Sequence, residues 1–141
     1  MDRPISHSFL IQGKNFYEAG RVSTEIKSML KDLGVDAAIV RRVAIATYEA
    51  EMNVVMYADE ATLTVELTSQ AIRVVIDDRG PGIPDVGLAM QEGYSTATAE
   101  MREMGFGAGM GLPNIKRNAD EFSIDSKVGK GTKLDITIYI N

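Results

Sequence analysis

"TLTVELTSQAIRVVIDD", residues 62–78, decides the fold. Thr62 to Ser69 alternates apolar and polar residues with a period of two, while Ala71 to Asp78 is almost continuously apolar until two aspartates end it. Two strands satisfy that pattern, the second more fully buried than the first, and the one-residue gap between them predicts a tight antiparallel hairpin.

Upstream the period is helical. Phe16, Ala19, Val22, Ile26, Met29, Leu30 and Leu33 recur at three or four positions, which predicts an amphipathic helix over 16–33 closed by Gly34. Asp36 is the expected N-cap of a second helix running to about Ala58, with Ile39, Val43, Ile45, Tyr48, Met52, Val55 and Met56 as its buried stripe. Ile5 to Gln12 reads as a strand ending at Gly13. Downstream, residues 79–111 are irregular and glycine-rich, with a short helical pattern near Val86 to Gln91. Leu112 to Asp120 reads as a helix, and "EFSIDSKVGKGTKLDITIYI", residues 121–140, as two strands turning through Gly129 to Gly131. Helices first and strands after, with little β-α alternation, predict an α+β fold. The expected architecture is a two-layer α/β sandwich whose mainly antiparallel, mixed sheet carries helices on one face.

The length of 141 residues fits a single domain spanning 1–141. Apolar residues at 45% and charged residues at 25% exclude a disordered or fibrous chain. The absence of cysteine excludes disulfides and thiolate metal sites and fits a reducing compartment. "MDRPISHSFLIQG" lacks the apolar centre of a signal peptide, and no run of about twenty apolar residues would span a bilayer, so the expected location is cytoplasmic, away from any membrane. A formal charge of -5 argues against nucleic acid as a partner. Small anions stay open, because backbone amides hold them whatever the net charge.

Three constellations carry possible chemistry. Glu49 and Asn53, in "YEAEMNVVMYA", stand four residues apart on one helix face. A carboxylate there would take a proton, and an amide oxygen would complete a Mg²⁺ shell otherwise made of phosphate and water; alternatively, the pair is a solvated helix edge. In "IDDRGPGIPD", residues 76–85, Asp78-x-Gly80-x-Gly82 follows a strand. Asp78 would accept a hydrogen bond from an exocyclic amine such as that of adenine, with the glycines letting the backbone pass a flat ring, or the stretch is an ordinary polar turn. "GFGAGMGLPNIKRNAD" places Gly105, Gly107, Gly109 and Gly111 at alternate positions before a helix, a cradle for phosphate; it is neither a Walker loop nor a Rossmann fingerprint. A flexible surface loop is the competing reading of those glycines.

In order and spacing the three elements resemble the nucleotide-binding boxes of the GHKL ATPase superfamily over nearly the whole chain. Glu49 and Asn53 match its N box, and Asp78, Gly80 and Gly82 its first glycine box. Gly107, Gly109, Gly111 and Leu112 match the second, and Gly131 and Thr132 its final G-T pair. "DRGPGIPD", "EGYST" and "GAGMGLPNIKRNADEF" are most similar to the RsbT branch of the anti-sigma and switch kinases, a group that also holds the RsbW and SpoIIAB types. The resemblance implies the Bergerat fold, with ATP between the helical layer and a lid. It assigns Asp78, assisted by Thr132, to the adenine, Asn53 to Mg²⁺, the Gly107 to Leu112 amides to the phosphates, and Glu49 to general base catalysis on a serine or threonine hydroxyl. The implied activity is an ATP-dependent serine/threonine kinase of a partner-switching system acting on a STAS-domain protein, with a sigma factor or a PP2C-type phosphatase as further partners. The alternative is an ATP-dependent binding module that sequesters a sigma factor or activates a phosphatase. Relatives of these types work as homodimers or within larger signalling assemblies.

The lid, "STATAEMREMGFGAG" from Ser95, is longer than in the RsbT type, so roles for Ser95, Thr96 and Arg102 do not carry over. Arg79 and Asp85 take no role in the resemblance, and Asp77 is a strand-end residue. His7, the one histidine, falls in a strand and is read as structural, since a phosphoacceptor histidine would sit on a helix of a separate domain. Met101, Met104 and Met110 are read as packing, and Lys116 and Arg117 as surface charge.

Overall fold

The computed structural model describes residues 4–91 and 111–140. Five strands, β1 (Ile5–Gln12), β2 (Glu60–Leu67), β3 (Ala71–Arg79), β4 (Glu121–Lys127) and β5 (Gly131–Tyr139), form one sheet in the order β1-β2-β3-β5-β4. Alternation along β2, β3 and β5 sends Leu63, Val65, Ile72, Val74, Ile76, Leu134, Ile136 and Ile138 to one face, where each is buried. The other face carries Thr62, Arg73, Asp77, Lys133 and Asp135, and there the Arg73 guanidinium grips Asp135 through Nε at 2.9 Å and Nη2 at 2.6 Å.

Every pairing among the described residues is antiparallel, so the expected mixed character is absent there. The reason lies in the β1 to β2 connection. One helix between neighbouring strands returns the chain parallel, whereas two helices reverse it once more. Those helices are α1 (Arg21–Asp32) and α2 (Ala37–Tyr57).

The helix expected over 16–33 is divided. A 3-10 turn at Phe16–Glu18 precedes α1, and Gly20, the residue before α1, takes φ +94°, which a helix cannot pass through and only glycine adopts without strain. Gly34 closes α1 as expected: its N–H reaches Lys31 O at 3.0 Å and the Val35 N–H reaches Leu30 O at 3.1 Å, the paired bonds of a Schellman end. Asp36 caps α2 through Oδ2, which accepts the Ala38 N–H at 3.1 Å. The β2–β3 loop holds three residues rather than one, because the Thr68 hydroxyl accepts the Gln70 and Ala71 N–H groups and ends β2 early.

The buried stripe of α2 also differs from expectation. Val43, Met52, Val55 and Met56 of the expected stripe are buried, together with Val40, Ala46, Thr47, Ala50, Glu51 and Val54, while Ile45 and Tyr48 are 37% and 44% exposed. So much of α2 is apolar that its pattern did not single out one face, and packing against the sheet and α1 chose it. A short helix α3 (Val86–Ala89) starts at Asp85, whose Oδ1 accepts the Leu88 N–H, and α4 (Gly111–Asn118) lies against α2. Among the described residues no helix is long and apolar enough to cross a membrane.

Candidate functional site

Two helices build one wall. Arg42 Nε donates to Asn118 O at 3.1 Å, Asn114 Nδ2 donates to Glu49 Oε2 at 3.2 Å, and a Cβ at Gly111 would stand 3.2 Å from Asn53 Oδ1. Positions fall along α4 as they rise along α2, so the helices run antiparallel with Glu49 and Asn53 on adjoining rungs. The start of α4 therefore lies beside the Asn53 amide, and its first-turn N–H groups have no helical acceptors of their own. A carboxylate, an amide and a helix N-terminus meet there, which suits an anion carrying a metal ion.

The ends of β3 and β5 build the second wall. Beyond the Asp77–Lys133 pair, a side chain continues the ladder: Asp78 Oδ1 accepts the Thr132 N–H at 3.0 Å. Thr132 is only 7% exposed, and its hydroxyl lies 2.8 Å from Ser126 Oγ, which accepts the Ile83 N–H at 2.7 Å. Burial pushes the Asp78 carboxyl above its usual range, the Thr132 N–H pulls it partly back, and neighbouring Asp77 adds a further upward push. The result is a half-buried acceptor beside a buried Thr132 hydroxyl and a half-buried Ser126 hydroxyl.

Glycines make this approach possible. Gly131 has φ +130°, and a Cβ there would lie 2.1 Å from the Asp78 carbonyl oxygen. Any side chain at 131 would separate β5 from the aspartate. A Cβ at Gly82 would lie 2.3 Å from Lys127 O, and one at Gly80 3.0 Å from Ala58 Cα. Both therefore pack the β3 exit against the protein itself, a requirement beyond the flat-ring approach expected from sequence. Leu112 is buried in the core behind the start of α4. Gly107, Gly109 and the whole lid stretch lie outside the described residues, as do Met101, Met104 and Met110.

Other residues resolve into structural tasks. Glu51, two positions from Glu49, points the opposite way and is 2% exposed. Its carboxylate accepts N–H groups from Gly20 at 3.1 Å, Val22 at 3.2 Å and Ser23 at 2.9 Å, capping α1 from another helix. Glu51, Asn114 and Ser126 carry no mark in the sequence, because the α2 pattern leaves its buried face open and the other two are ordinary polar residues. Arg79 pairs with Glu60 at 2.7 Å, directly across the strands. Lys116 and Arg117 are exposed, and His7 is exposed on edge strand β1. No group of three or more His, Asp or Glu that could hold a metal ion occurs among the described residues.

A family profile described as the histidine kinase-like ATPase domain matches residues 17–138. The serine/threonine-protein kinase RsbT of Bacillus subtilis (strain 168) is 32% identical over 112 residues, which cover 77% of this chain and 78% of RsbT. An anti-sigma F factor of Caldanaerobacter subterraneus subsp. tengcongensis is 34% identical over 100 residues, covering 67% of this chain and 66% of that protein. In structure, the RsbU and RsbW domains of a Mycobacterium tuberculosis protein superpose with a TM-score of 0.59 at 17% identity, over 93% of this chain and 32% of that one, a likeness of fold alone. The chain thus belongs to the histidine kinase-like ATPase family of the GHKL superfamily, in the branch that holds RsbT and the anti-sigma F factors.

Proposed function

We propose that the chain is an ATP-dependent protein serine/threonine kinase of a bacterial partner-switching system, acting on a STAS-domain protein. The observation that carries the reading is the α2–α4 wall, where Glu49, Asn53 and the start of α4 adjoin. The donor set fits Mg²⁺ brought in by a nucleotide: one amide oxygen suits an ion that keeps water and phosphate as its other ligands. When bound, that ion offsets charge on the phosphates. Asn53 holds it, the amides of Gly107 and Gly109, with those of Gly111 and Leu112 in the first turn of α4, hold phosphate oxygens, and Asp78 accepts from the adenine amine beside Thr132. Gly80 and Gly82 shape the backbone around the base.

Glu49 is the general base. It takes the proton of the substrate hydroxyl as that oxygen bonds to the γ-phosphorus and the bond to the β-phosphate oxygen breaks, giving a phosphoester and ADP. Asn114 keeps the Glu49 carboxylate oriented through its 3.2 Å bond. Incubation with Mg²⁺, γ-labelled ATP and each STAS-domain protein of the same genome tests the reading. Phosphate on one serine or threonine is expected; no transfer to any of them would overturn it. The likeness to an anti-sigma F factor supports a second reading, an ATP-ordered binding module that captures a sigma factor or activates a phosphatase, and does so equally well without Glu49. Partner capture that needs nucleotide but survives Glu49→Gln, with no transfer by the unaltered chain, would favour it.

A further inference from the structure

The helical layer carries a groove of about 740 Å³ on its outer side, between α1 and α2. Lys27 and Lys31 of α1 and Arg41, Ile45 and Tyr48 of α2 line it, and its one acidic residue is Glu49. Lys27 and Lys31 stand one turn apart, and Arg41, Ile45 and Tyr48 follow helical spacing, so each helix presents a stripe along the same channel. Ile45 and Tyr48 are the residues that the core declined, at 37% and 44% exposure. The three cations are exposed, and none joins an ion pair among the described residues. Three cations without an ion pair among the described residues, beside an exposed aromatic and a branched aliphatic in a chain of formal charge -5, are a local reversal of the protein's electrostatics.

We infer that this groove docks an acidic, apolar-studded segment of the protein substrate and thereby brings its hydroxyl to Glu49. Charge complementarity names the occupant: carboxylates opposite Lys27, Lys31 and Arg41, with an apolar side chain over Ile45 and Tyr48. The position of Glu49 on the groove wall gives the docking its purpose, and that part rests on the kinase reading above. The rest does not. Binding of such a segment needs neither nucleotide nor phosphoryl transfer.

The test uses the whole chain without nucleotide and two short fluorescein-labelled peptides of matched sequence. Each has leucines and one central serine, with glutamates in one and lysines in the other. Fluorescence anisotropy should show the acidic peptide binding about tenfold or more tightly than the basic one, with affinity falling as salt rises. The double variant Lys27→Glu/Lys31→Glu should reverse the preference, and Ile45→Ser, which removes apolar contact without adding charge, should weaken both peptides, with thermal unfolding showing that each variant is folded. Amide shifts on adding the acidic peptide should centre on α1 and the outer stripe of α2. Equal affinity for the two peptides, shifts centred elsewhere, or equally tight binding of a single-stranded oligonucleotide of the same charge would overturn the inference. So would a concentration-dependent dimer that the double variant abolishes, since the groove would then hold a second copy. Preference for the acidic peptide without transfer to any STAS-domain protein would remove the kinase reading alone. Transfer with no peptide preference would remove the docking groove alone.

Discussion

Glu51→Ala is the perturbation that most directly probes how the helical layer is held. The Glu51 carboxylate is 2% exposed and accepts the Gly20, Val22 and Ser23 N–H groups at 2.9–3.2 Å. Its loss leaves three donors at the start of α1 without that partner. Each buried unsatisfied group costs about 1–3 kcal/mol; the Val22 and Ser23 donors are buried and the Gly20 donor is half-buried, so a total near 3–5 kcal/mol follows. Against a stability of roughly 7–21 kcal/mol for a chain of this length, that is a large fraction. Midpoints should fall by about 10 °C or more. Glu51→Gln keeps one acceptor oxygen while losing the charge at the helix N-terminus, so about 1–2 kcal/mol is expected. Urea unfolding followed by far-ultraviolet circular dichroism measures both. A Glu51→Ala variant within about 0.5 kcal/mol of the parent would refute the reasoning, because that is the range of an uninvolved surface residue.

Asp78→Asn preserves the acceptor for the Thr132 N–H while removing a half-buried charge, so stability at neutral pH should hold or rise slightly, whereas ATP affinity by calorimetry should drop about tenfold or more. The sign with pH follows from the raised carboxyl: the native state holds that proton more tightly, so its contribution to stability declines as pH rises from the usual aspartate range through the raised value, and the variant lacks that decline. Asp135 and Asp120 behave oppositely. The Arg73 guanidinium lowers Asp135, and the Tyr139 N–H, with help from Arg42, lowers Asp120, so their stabilisation is present above the usual aspartate range and is lost as pH falls through the lowered values. Asp135→Asn should therefore flatten the acid limb of an unfolding curve below the usual aspartate range. Gly131→Ala, with its added carbon 2.1 Å from a carbonyl oxygen at φ +130°, should cost about 2–4 kcal/mol by urea unfolding and abolish nucleotide binding together with it.

The strands β2 and β5 were legible because each keeps one face buried, which imposes alternation on the sequence, and β3 because its short apolar run ends at two aspartates, although it is buried on one face like β2 and not more fully than it. The Asp36 cap and the Gly34 ending were legible for the same local reason: each satisfies backbone groups within a few residues. Tertiary choices were not. Ile45 and Tyr48 are as apolar as their core-facing neighbours, and only the placement of α1 and the sheet leaves them outside. The division of the first helix at Gly20 follows from Glu51, thirty-one residues along the chain, whose carboxylate takes the N–H groups that a continuous helix would have used. At the site, the boxes around Glu49, Asn53 and Asp78 could be marked from residue type and spacing, but the partners that position them, Asn114 and Ser126, are ordinary polar residues until the fold brings them within 3.2 Å of Glu49 and 2.8 Å of Thr132.

The central claim is that Glu49 removes the proton from a substrate hydroxyl while other residues hold the nucleotide. Single-turnover transfer from Mg-ATP to an unphosphorylated STAS-domain partner, measured alongside ATP affinity for the parent and for Glu49→Gln, tests it most directly. The glutamine keeps the oxygen that accepts from Asn114, so ATP affinity should stay within about twofold while the transfer rate falls about 10²–10⁴-fold. A Glu49→Gln variant that transfers phosphate at the parent's rate would contradict the account.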